Sequence, residues 1–314
     1  MAKATREHRA IRRMLSTVAM LGLVVGVLAV TGGSASATFP GKNGRIAFAT
    51  DTGSSPQVIK TVKRDGTDLT RVAAHAVSED WAPDGRTIVF ERDHKGGCSI
   101  QISNPNGSGI VDLTGSRSGC EQDPSFTPDG RRILFTRNNR AIWRMNLTGG
   151  ARTRVRRMPD RLQLDAGDPN VSPGGGIIAF VGTRSDGLRA LYTVKPDGSH
   201  LRRITSFVWA LGYRIDWAPS GRHIVFTEYR AGGPGNTAVI RPDGSGLVQL
   251  THHSGDLGAG GAVYSPDGRW ILYRHQNDAV SRYSLWKMRP DGSQRTRIRN
   301  MGVRVVGLDW GPQR

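Results

Sequence analysis

Two tight-turn phrases alternate along the chain, and their spacing limits the folds that it can adopt. The first phrase is Trp81-Ala-Pro-Asp-Gly-Arg-Thr-Ile-Val-Phe90, and related segments recur every 45 to 47 residues as far as Pro266. In both phrases Pro sets φ for a turn, Asp bonds the turn backbone and Gly accepts the positive φ that reverses the chain. Short β-rich runs flank each reversal, which is the pattern of a hairpin. The second phrase is centred on Gly66, Gly107, Gly149, Gly198, Gly244 and Gly292.

Two hairpins per repeat predict four antiparallel strands, named A to D outwards, and such a repeat is typical of a propeller blade. The segment Arg45–Phe48 is typical of a strand B, and Val305–Pro312 of a strand A with no strand B after it. We therefore predict an all-β fold for residues 38–314, a six-bladed β-propeller closed by pairing of the N- and C-terminal strands. Closure would remove the open edge strands.

The repeat Pro-Asp-Gly-Arg with Ile-Val-Phe, followed by Pro-Asp-Gly-Ser and Leu-Thr, resembles that of the TolB propeller and its relatives. The resemblance covers nearly all of residues 39–314. It implies a binding face built from the D–A and B–C loops. TolB carries an α/β domain before its propeller, whereas the first repeat here follows the leader directly. We therefore expect no role in the Tol–Pal system.

The first 37 residues are predicted to be a cleaved signal peptide. Lys3 and four arginines precede an apolar stretch from Met14 to Val30, and Ala35-Ser-Ala37 is a small-residue cleavage pattern. We expect cleavage after Ala37 and a secreted or envelope-associated protein, with an uncleaved membrane anchor as the alternative. Arg12-Arg13 leaves the twin-arginine and general secretory routes both open.

The chain is strongly basic, which favours anionic partners. Its formal charge is +18, and removing five basic residues and one acidic residue with the leader leaves +14. The arginines are scattered over every repeat instead of forming one stripe, and with export this argues against nucleic acid. A solubilising role for these charges is the alternative. We expect a monomer.

The two cysteines of the chain, Cys98 and Cys120, are predicted to form a disulfide. Cys98 begins a strand C and Cys120 lies in a D–A loop, so the antiparallel blade puts both at one end of the propeller. An exported protein favours the bond. Two free thiols are the alternative.

The motifs of common hydrolases and metal enzymes are missing from the sequence. It contains no Gly-x-Ser-x-Gly elbow, no His-Glu-x-x-His zinc motif and no phosphate-binding Gly-rich loop. His252 and His253 are adjacent, and neighbouring strand residues point to opposite faces, so we predict no metal site and no cofactor. Propeller lyases that act on pectic fragments share this kind of repeat and use His-rich metal sites, so this alternative stays open.

Two sets of polar residues are candidates for binding. Asp80, Asp216 and Asp309 each stand three residues before a turn proline, so we predict that they line the central channel. They would bind a cation, water or a basic peptide there, or hydrogen-bond to a neighbouring blade. The loop-face candidates combine aromatic, basic and His side chains, which suit sugars, peptides and anions. They are Trp209, Tyr213, Arg214, Tyr229, Arg230, His252, His253, Arg274 and His275.

These features predict a non-enzymatic binding protein that recognises a peptide, a protein or an anionic envelope polymer through its loop face. A carbohydrate-active lyase or hydrolase with its site on the same face is the second hypothesis. A structural envelope protein without a small ligand is the third. Packing of the aromatic side chains between blades is the structural alternative for the loop-face set.

Overall fold

The computed structural model describes residues 41–53, 56–115, 119–159, 164–207, 210–229 and 233–313. The chain divides into two compact units, Met1–Ser34 and Ala35–Arg314, and every described residue lies in the second. The predicted leader, residues 1–37, and its cleavage position lie outside the described residues. None of the described helices has the length and apolar character needed to cross a membrane.

The described strands fall into antiparallel groups of four or five, numbered here along the chain. Group 1 contains β1 (Asn43–Asp51), β2 (Val58–Val62) and β3 (Thr70–Ala74), together with β24 (Arg304–Val305) and β25 (Asp309–Pro312). Group 2 contains β4 (Ala76–Trp81), β5 (Ile88–His94), β6 (Gly97–Ser103) and β7 (Val111–Asp112). Group 3 contains β8 (Gly119–Phe126), β9 (Arg132–Arg137), β10 (Ala141–Asn146) and β11 (Thr153–Arg157).

The remaining strands continue the same four-strand order. Group 4 contains β12 (Leu164–Val171), β13 (Ile178–Arg184), β14 (Arg189–Val194) and β15 (Arg202–Arg203). Group 5 contains β16 (Ala210–Trp217), β17 (Ile224–Tyr229), β18 (Gly235–Ile240) and β19 (Val248–Gln249). Group 6 contains β20 (Leu257–Tyr264), β21 (Ile271–Asn277), β22 (Arg282–Met288) and β23 (Thr296–Asn300), with a 3-10 turn at Asp278–Val280.

The predicted all-β propeller is confirmed, but the number of separate sheets differs from the expectation. Six separate sheets were expected, and the described strands form five hydrogen-bonded sheets. The eight-stranded sheet contains groups 2 and 3, joined where β6 runs parallel to β8 at Gly97↔Gly119 and Cys98↔Cys120. The Cys98–Cys120 disulfide holds these two backbones 4.5 Å apart at Cα, which explains the additional pairing.

The first and last strands of the described chain pair with each other. β25 runs antiparallel to β1, with Ile46↔Trp310 and Ala47↔Asp309 in register, and β24 pairs with the far end of β1. The indole Nε1 of Trp310 also donates to the carbonyl of Gly44 at 3.3 Å.

The turn phrases form as their residue types predict. Gly85 and Gly66 have φ of 66° and 86°, which are left-handed values that glycine tolerates. Asp84 Oδ1 accepts the Arg86 N–H at 2.8 Å, and Asp129 and Asp267 accept the equivalent N–H groups of Arg131 and Arg269, each at 3.0 Å. These hairpins place the A–B and C–D turns at one end of the molecule, called the turn end. The B–C and D–A connections lie at the opposite end, called the loop end.

The core lies between consecutive groups. Leu134 of β9 packs in one cluster with Phe180 of β13, and Phe48 of β1 packs with Leu272 of β21. The aromatic residues that recur in register on five inner strands are buried, and Trp217 is completely inaccessible to solvent. They are Trp81, Phe126, Trp217, Tyr264 and Trp310. Burial of aromatic and branched side chains between sheets stabilises their face-to-face packing.

Candidate functional site at the axis and the loop end

The innermost strands of groups 2 to 6 each carry a β-bulge that directs side chains towards the axis. In β8 the pairing with β9 shifts between Gln122 and Ser125, and Asp123 inside the shift has a φ of 51°. The same shift occurs in β4, β12, β16 and β20. A bulge bends the strand locally and re-aims its side chains. The left-handed residues in the other four shifts are Ser78, Asp168, Arg214 and Gly261.

These bulged strands surround a buried cavity of about 10 Å³. That space accommodates about one water molecule. Acidic side chains and one arginine dominate its wall. The polar side chains that line it belong to Asp80, Asp123, Ser125, Asp168, Asn170, Arg214, Asp216 and Asp309.

The three aspartates that precede the turn prolines lie in this wall and bond to the next group's backbone. Asp80 Oδ2 accepts the N–H of Phe126 at 2.8 Å. Asp216 Oδ2 accepts from Tyr264 at 2.7 Å, and Asp309 Oδ2 accepts from Trp81 at 2.6 Å. Each carboxylate therefore fastens the inner strand of the following group, which is the inter-blade hydrogen bonding considered as an alternative from the sequence.

Arg214, assigned from sequence to the loop face, lies instead beside the axis. Its side chain is 13% exposed. Nε donates to the carbonyl of Leu308 at 2.8 Å, and Nη2 donates to the carbonyl of Glu79 and lies 3.7 Å from the Glu79 carboxylate. The left-handed backbone at Arg214, with a φ of 84°, turns the side chain inwards, and its N–H donates to Asp168. This strand irregularity and the buried carboxylates explain the difference.

Burial dominates the electrostatics of the axis. It raises the pKa of Glu79 to about 7, although the neighbouring Arg214 guanidinium opposes the shift. Burial and the Asp309 charge raise the pKa of Asp216 to about 8, and burial and the Asp168 charge raise that of Asp123 to about 6. One guanidinium thus serves several buried or half-buried carboxyl groups, and protons neutralise part of the remaining charge.

The loop-face candidates that the structure describes gather mainly between groups 5 and 6. The rings of His253 and His275 are 5.1 Å apart, and the Trp286 ring lies 5.4 Å from His275, tilted by 38°. Arg274 Nη1 donates to the carbonyl of Val305 at 2.5 Å, and burial lowers the pKa of this arginine. Tyr229 is half-buried at the end of β17. The loop-end cluster is defined as Tyr229, His253, Arg274, His275 and Trp286.

The other loop-face candidates are outside this cluster or outside the described residues. Trp209, Arg230 and the side chain of Tyr213 are not among the described parts of the chain, and His252 is exposed beside His253. Asn236 positions His253, because its Oδ1 accepts the His253 N–H at 2.7 Å and its Nδ2 donates to the His253 carbonyl at 3.2 Å. Burial lowers the pKa of both His253 and His275.

The described residues offer one group of three possible metal ligands, Glu91 with Cys98 and Cys120. The two sulfurs are bonded to each other in the predicted disulfide and are therefore not thiolate ligands. His252 and His253 are not part of any such group within the described residues.

Sequence reasoning missed the second axial position. Glu79, Asp123 and Asp168 were not selected, although Asp123, Asp168 and Arg214 each stand five residues before a turn proline. The available signal was two aspartates and an arginine at the same position of three repeats. The bulge that brings them to the axis is not visible in the residue spacing.

Comparison with known proteins gives sequence relatives of limited extent. No protein-family model matches the chain. It is 26% identical over 196 residues to an uncharacterized protein of Agrobacterium fabrum, covering 60% of each chain. It is 27% identical over 120 residues to the Tol-Pal system protein TolB of Francisella tularensis, covering 36% of this chain and 26% of that protein. The matches thus span less than two thirds of either relative.

Solved structures give a broader match. The chain superposes on TolB from Acinetobacter baumannii with a TM-score of 0.71 and 22% identity, over 86% of this chain and 67% of that one. An oligogalacturonate lyase in complex with manganese matches with a TM-score of 0.57 and 14% identity, over 83% and 75% of the two chains. The repeat and this superposition agree with the predicted resemblance, and the described residues have the TolB-like β-propeller fold.

Proposed function

We propose that this chain is an exported, non-enzymatic propeller of six blades that binds a protein, a peptide or an anionic envelope polymer at its loop end. The observation that carries the proposal is the division of polar groups between the axis and the loop end. The axial aspartates accept backbone N–H groups, whereas the loop-end cluster gathers half-buried aromatic and imidazole side chains and one guanidinium from two adjacent groups.

Contacts between successive groups support the count of six blades and their closure. At each second-phrase turn, a Cβ added to the glycine would lie within 3.0 Å of a backbone oxygen in the preceding group. The contact between Gly66 and the carbonyl of Ile298 connects group 1 to group 6. On this interpretation the eight-stranded sheet is two blades that share one short parallel pairing. The other five contacts pair Gly107 with Val72, Gly149 with Leu113, Gly198 with Val155, Gly244 with Ile204 and Gly292 with Leu250.

Export is supported by the predicted leader and by the disulfide. A basic segment, an apolar stretch and Ala35-Ser-Ala37 precede the first strand, and disulfides persist in oxidising compartments. The charge of +14 expected after cleavage would draw the protein to anionic polymers of the envelope.

The loop-end cluster suits recognition more than bond cleavage. Aromatic rings next to cationic groups bind sugars, peptides and anions through stacking and cation–π contacts. The cluster lies at a junction between two sheets, where the bonds from Asn236 hold His253 in place. A fixed surface of this kind loses little conformational freedom on binding.

A pull-down from envelope extract, at low salt and at high salt, tests the proposal. Wild-type protein is expected to retain a partner at high salt, and His275→Asn is expected to lose most of it. His200→Asn is the matched control, because His200 is exposed on a second-phrase turn at the opposite end. Loss of every partner at high salt would show that the partners were held by non-specific charge attraction alone. Equal retention by both variants would remove the loop-end cluster as the site.

The second candidate is a carbohydrate-active lyase or hydrolase with its site at the same end. The close pair of His253 and His275 favours it, because lowered pKa values keep both imidazoles neutral, which is the form that binds metals. Incubation with oligogalacturonate and manganese, followed by chromatography of the products, distinguishes the two functions. Shortened products with the wild-type protein that are absent with His253→Asn would show that the protein is an enzyme and would overturn the proposed binding function.

A further inference from the structure

The inner turns form a chain of proline-on-glycine contacts around the turn end. A Cβ built on Gly130 would lie 3.4 Å from Cγ of Pro83, and one on Gly268 would lie 3.2 Å from Cγ of Pro219. Gly221 approaches Pro173 in the same way, at 3.8 Å. Gly130, Gly221 and Gly268 thus each pack against the turn proline of the preceding group.

One of these contacts is missing, between Pro128 of group 3 and Gly175 of group 4. A Cβ on Gly175 would meet nothing within 4 Å. Gly175 is exposed, whereas Gly85 is buried and Gly130, Gly221 and Gly268 are half-buried. The sequence is also irregular here, because Pro173-Gly-Gly-Gly176 replaces Pro-Asp-Gly-Arg and supplies no aspartate for the turn.

An open groove of about 680 Å³ occupies the position of the missing contact. This volume falls within the range of about 300–1,000 Å³ that is typical of small-ligand sites. Its floor is apolar, formed by Leu134, Val171 and Ile178, which are 2%, 4% and 2% exposed. Val155 and Pro196 form an apolar side wall.

The charge available to a ligand in this groove is positive. Arg144 lines the groove, and its buried Nε has no hydrogen-bond partner among the described residues. Arg132 is exposed at the rim. Asp129 also lies there, but its Oδ1 already accepts from Thr127 Oγ1 at 2.5 Å and from the Arg131 N–H at 3.0 Å. A ligand would therefore find an apolar floor beside an arginine whose Nε has no hydrogen-bond partner within the described residues.

We propose that this groove binds a small amphiphilic carboxylate, with its apolar body against Leu134 and Ile178 and its carboxylate on the guanidinium of Arg144. Burial of the alkyl body supplies the driving force, and a charge-assisted hydrogen bond to Arg144 selects the acid. The site lies at the turn end and is independent of the loop-end cluster.

Calorimetric titration of the purified protein with decanoate, decanol and decylamine, below their micelle concentrations, tests the site. Decanoate is expected to bind about tenfold more tightly than decanol, as a single charge-assisted hydrogen bond implies, and decylamine more weakly than either. Arg144→Gln is expected to weaken decanoate about tenfold and to leave decanol unchanged. Arg131→Gln, an exposed residue of the same hairpin that does not line the groove, is the matched control.

Two further variants locate the ligand. Val155→Phe would fill the groove and is expected to abolish binding of both decanoate and decanol. Gly174→Asp restores the repeat's aspartate at a position with nothing within 4 Å, so it should fold, and its charge should repel decanoate alone. Equal affinity for decanoate and decanol, or unchanged binding by Arg144→Gln, would overturn the proposal. So would a loss caused by Arg64→Gln, which changes a separate groove between groups 1 and 2.

Discussion

Two positions on the same inner strands, two residues apart, differ in how they use the axis. Three residues before the turn proline, Asp80, Asp216 and Asp309 repeat one role and accept an N–H from the next group. Five residues before it, the bulge position carries residues as different as Asp168 and Arg214. The first position holds neighbouring groups in register. The second fills the space at the axis, where a single guanidinium serves several strands.

This difference shows why a repeated sequence can have a unique centre. A contact between neighbouring groups can be copied at every junction, because each junction has the same geometry. A large side chain at the axis can be accommodated only once, since all inner strands converge on a cavity of about 10 Å³. Arg214 spans this space to reach Leu308 and Glu79, and the small residues Gly261 and Gly307 stand at the equivalent positions further along the chain.

The largest expected effect comes from removing the single axial cation. Arg214→Met should lower the free energy of unfolding by about 4 kcal/mol, because it removes the guanidinium that stabilises the charged forms of Glu79, Asp168 and Asp309. Denaturant titration at pH 5 and pH 9 measures this loss. Arg295→Met removes a guanidinium that donates to the Leu250 carbonyl near the surface, and should cost only about 1 kcal/mol.

The pH dependence of Arg214→Met has a definite sign. Removing the guanidinium raises the folded-state pKa of these carboxyl groups further. A carboxyl group whose pKa is raised in the folded state stabilises the fold at low pH, where it is protonated. This stability is lost as the pH rises from the ordinary carboxyl pKa through the folded-state pKa. The loss should therefore be greater at pH 9 than at pH 5. An equal loss at both pH values would show that the bulge position acts by packing instead of charge.

The next effect tests the repeated position. Asp216→Ala should lower the free energy of unfolding by about 3 kcal/mol, because the N–H groups of Trp217 and Tyr264 both lose their acceptor. Ser125→Ala is the matched change in another group and should cost about 1 kcal/mol, since Ser125 donates only one bond, to Pro169. Thermal unfolding of both variants checks the order, and equal losses would contradict the assigned role of the carboxylates.

The smallest effect should appear as a gain at alkaline pH. Burial, followed by the Asp123 charge, raises the pKa of Glu91 to about 8, so wild-type stability should fall as pH rises from 5 through 8. Glu91→Gln keeps an acceptor for the Asp123 N–H, which lies 3.3 Å away, and cannot ionise. It should be more stable than wild type at pH 9 by about 2 kcal/mol. Asp256→Asn, at an exposed carboxyl, should leave the profile unchanged.

The sequence allowed most of the fold to be predicted, because turn chemistry is local. Pro, Asp and Gly in fixed order specify a reversal wherever they occur, and Trp81 and Trp217 are buried in register as expected. The disulfide was also predictable, since Cys98 and Cys120 fall at the same end of adjacent repeats. The merger of groups 2 and 3 into one sheet was not, because it depends on the close approach that this bond imposes.

The candidate site was less accessible to sequence reasoning. Asp216 could be placed at the axis from its register, but Arg214 was assigned to a loop because a left-handed residue inside a strand leaves no mark on the spacing. The groove beside Gly175 could not be predicted either. The three glycines at 174–176 indicated a degraded repeat, whereas the open space depends on where Pro128 of the preceding group lies.

The pairing of β25 with β1 determines when the first sheet can finish folding during synthesis. Trp310 donates to Gly44, a residue translated 266 positions earlier, so this sheet stays incomplete until the ribosome has made β25. Contacts of such sequence separation form slowly. Until then the edge of β1 is exposed, and a chaperone or a translocation channel that keeps the chain extended would protect it from aggregation until β25 arrives.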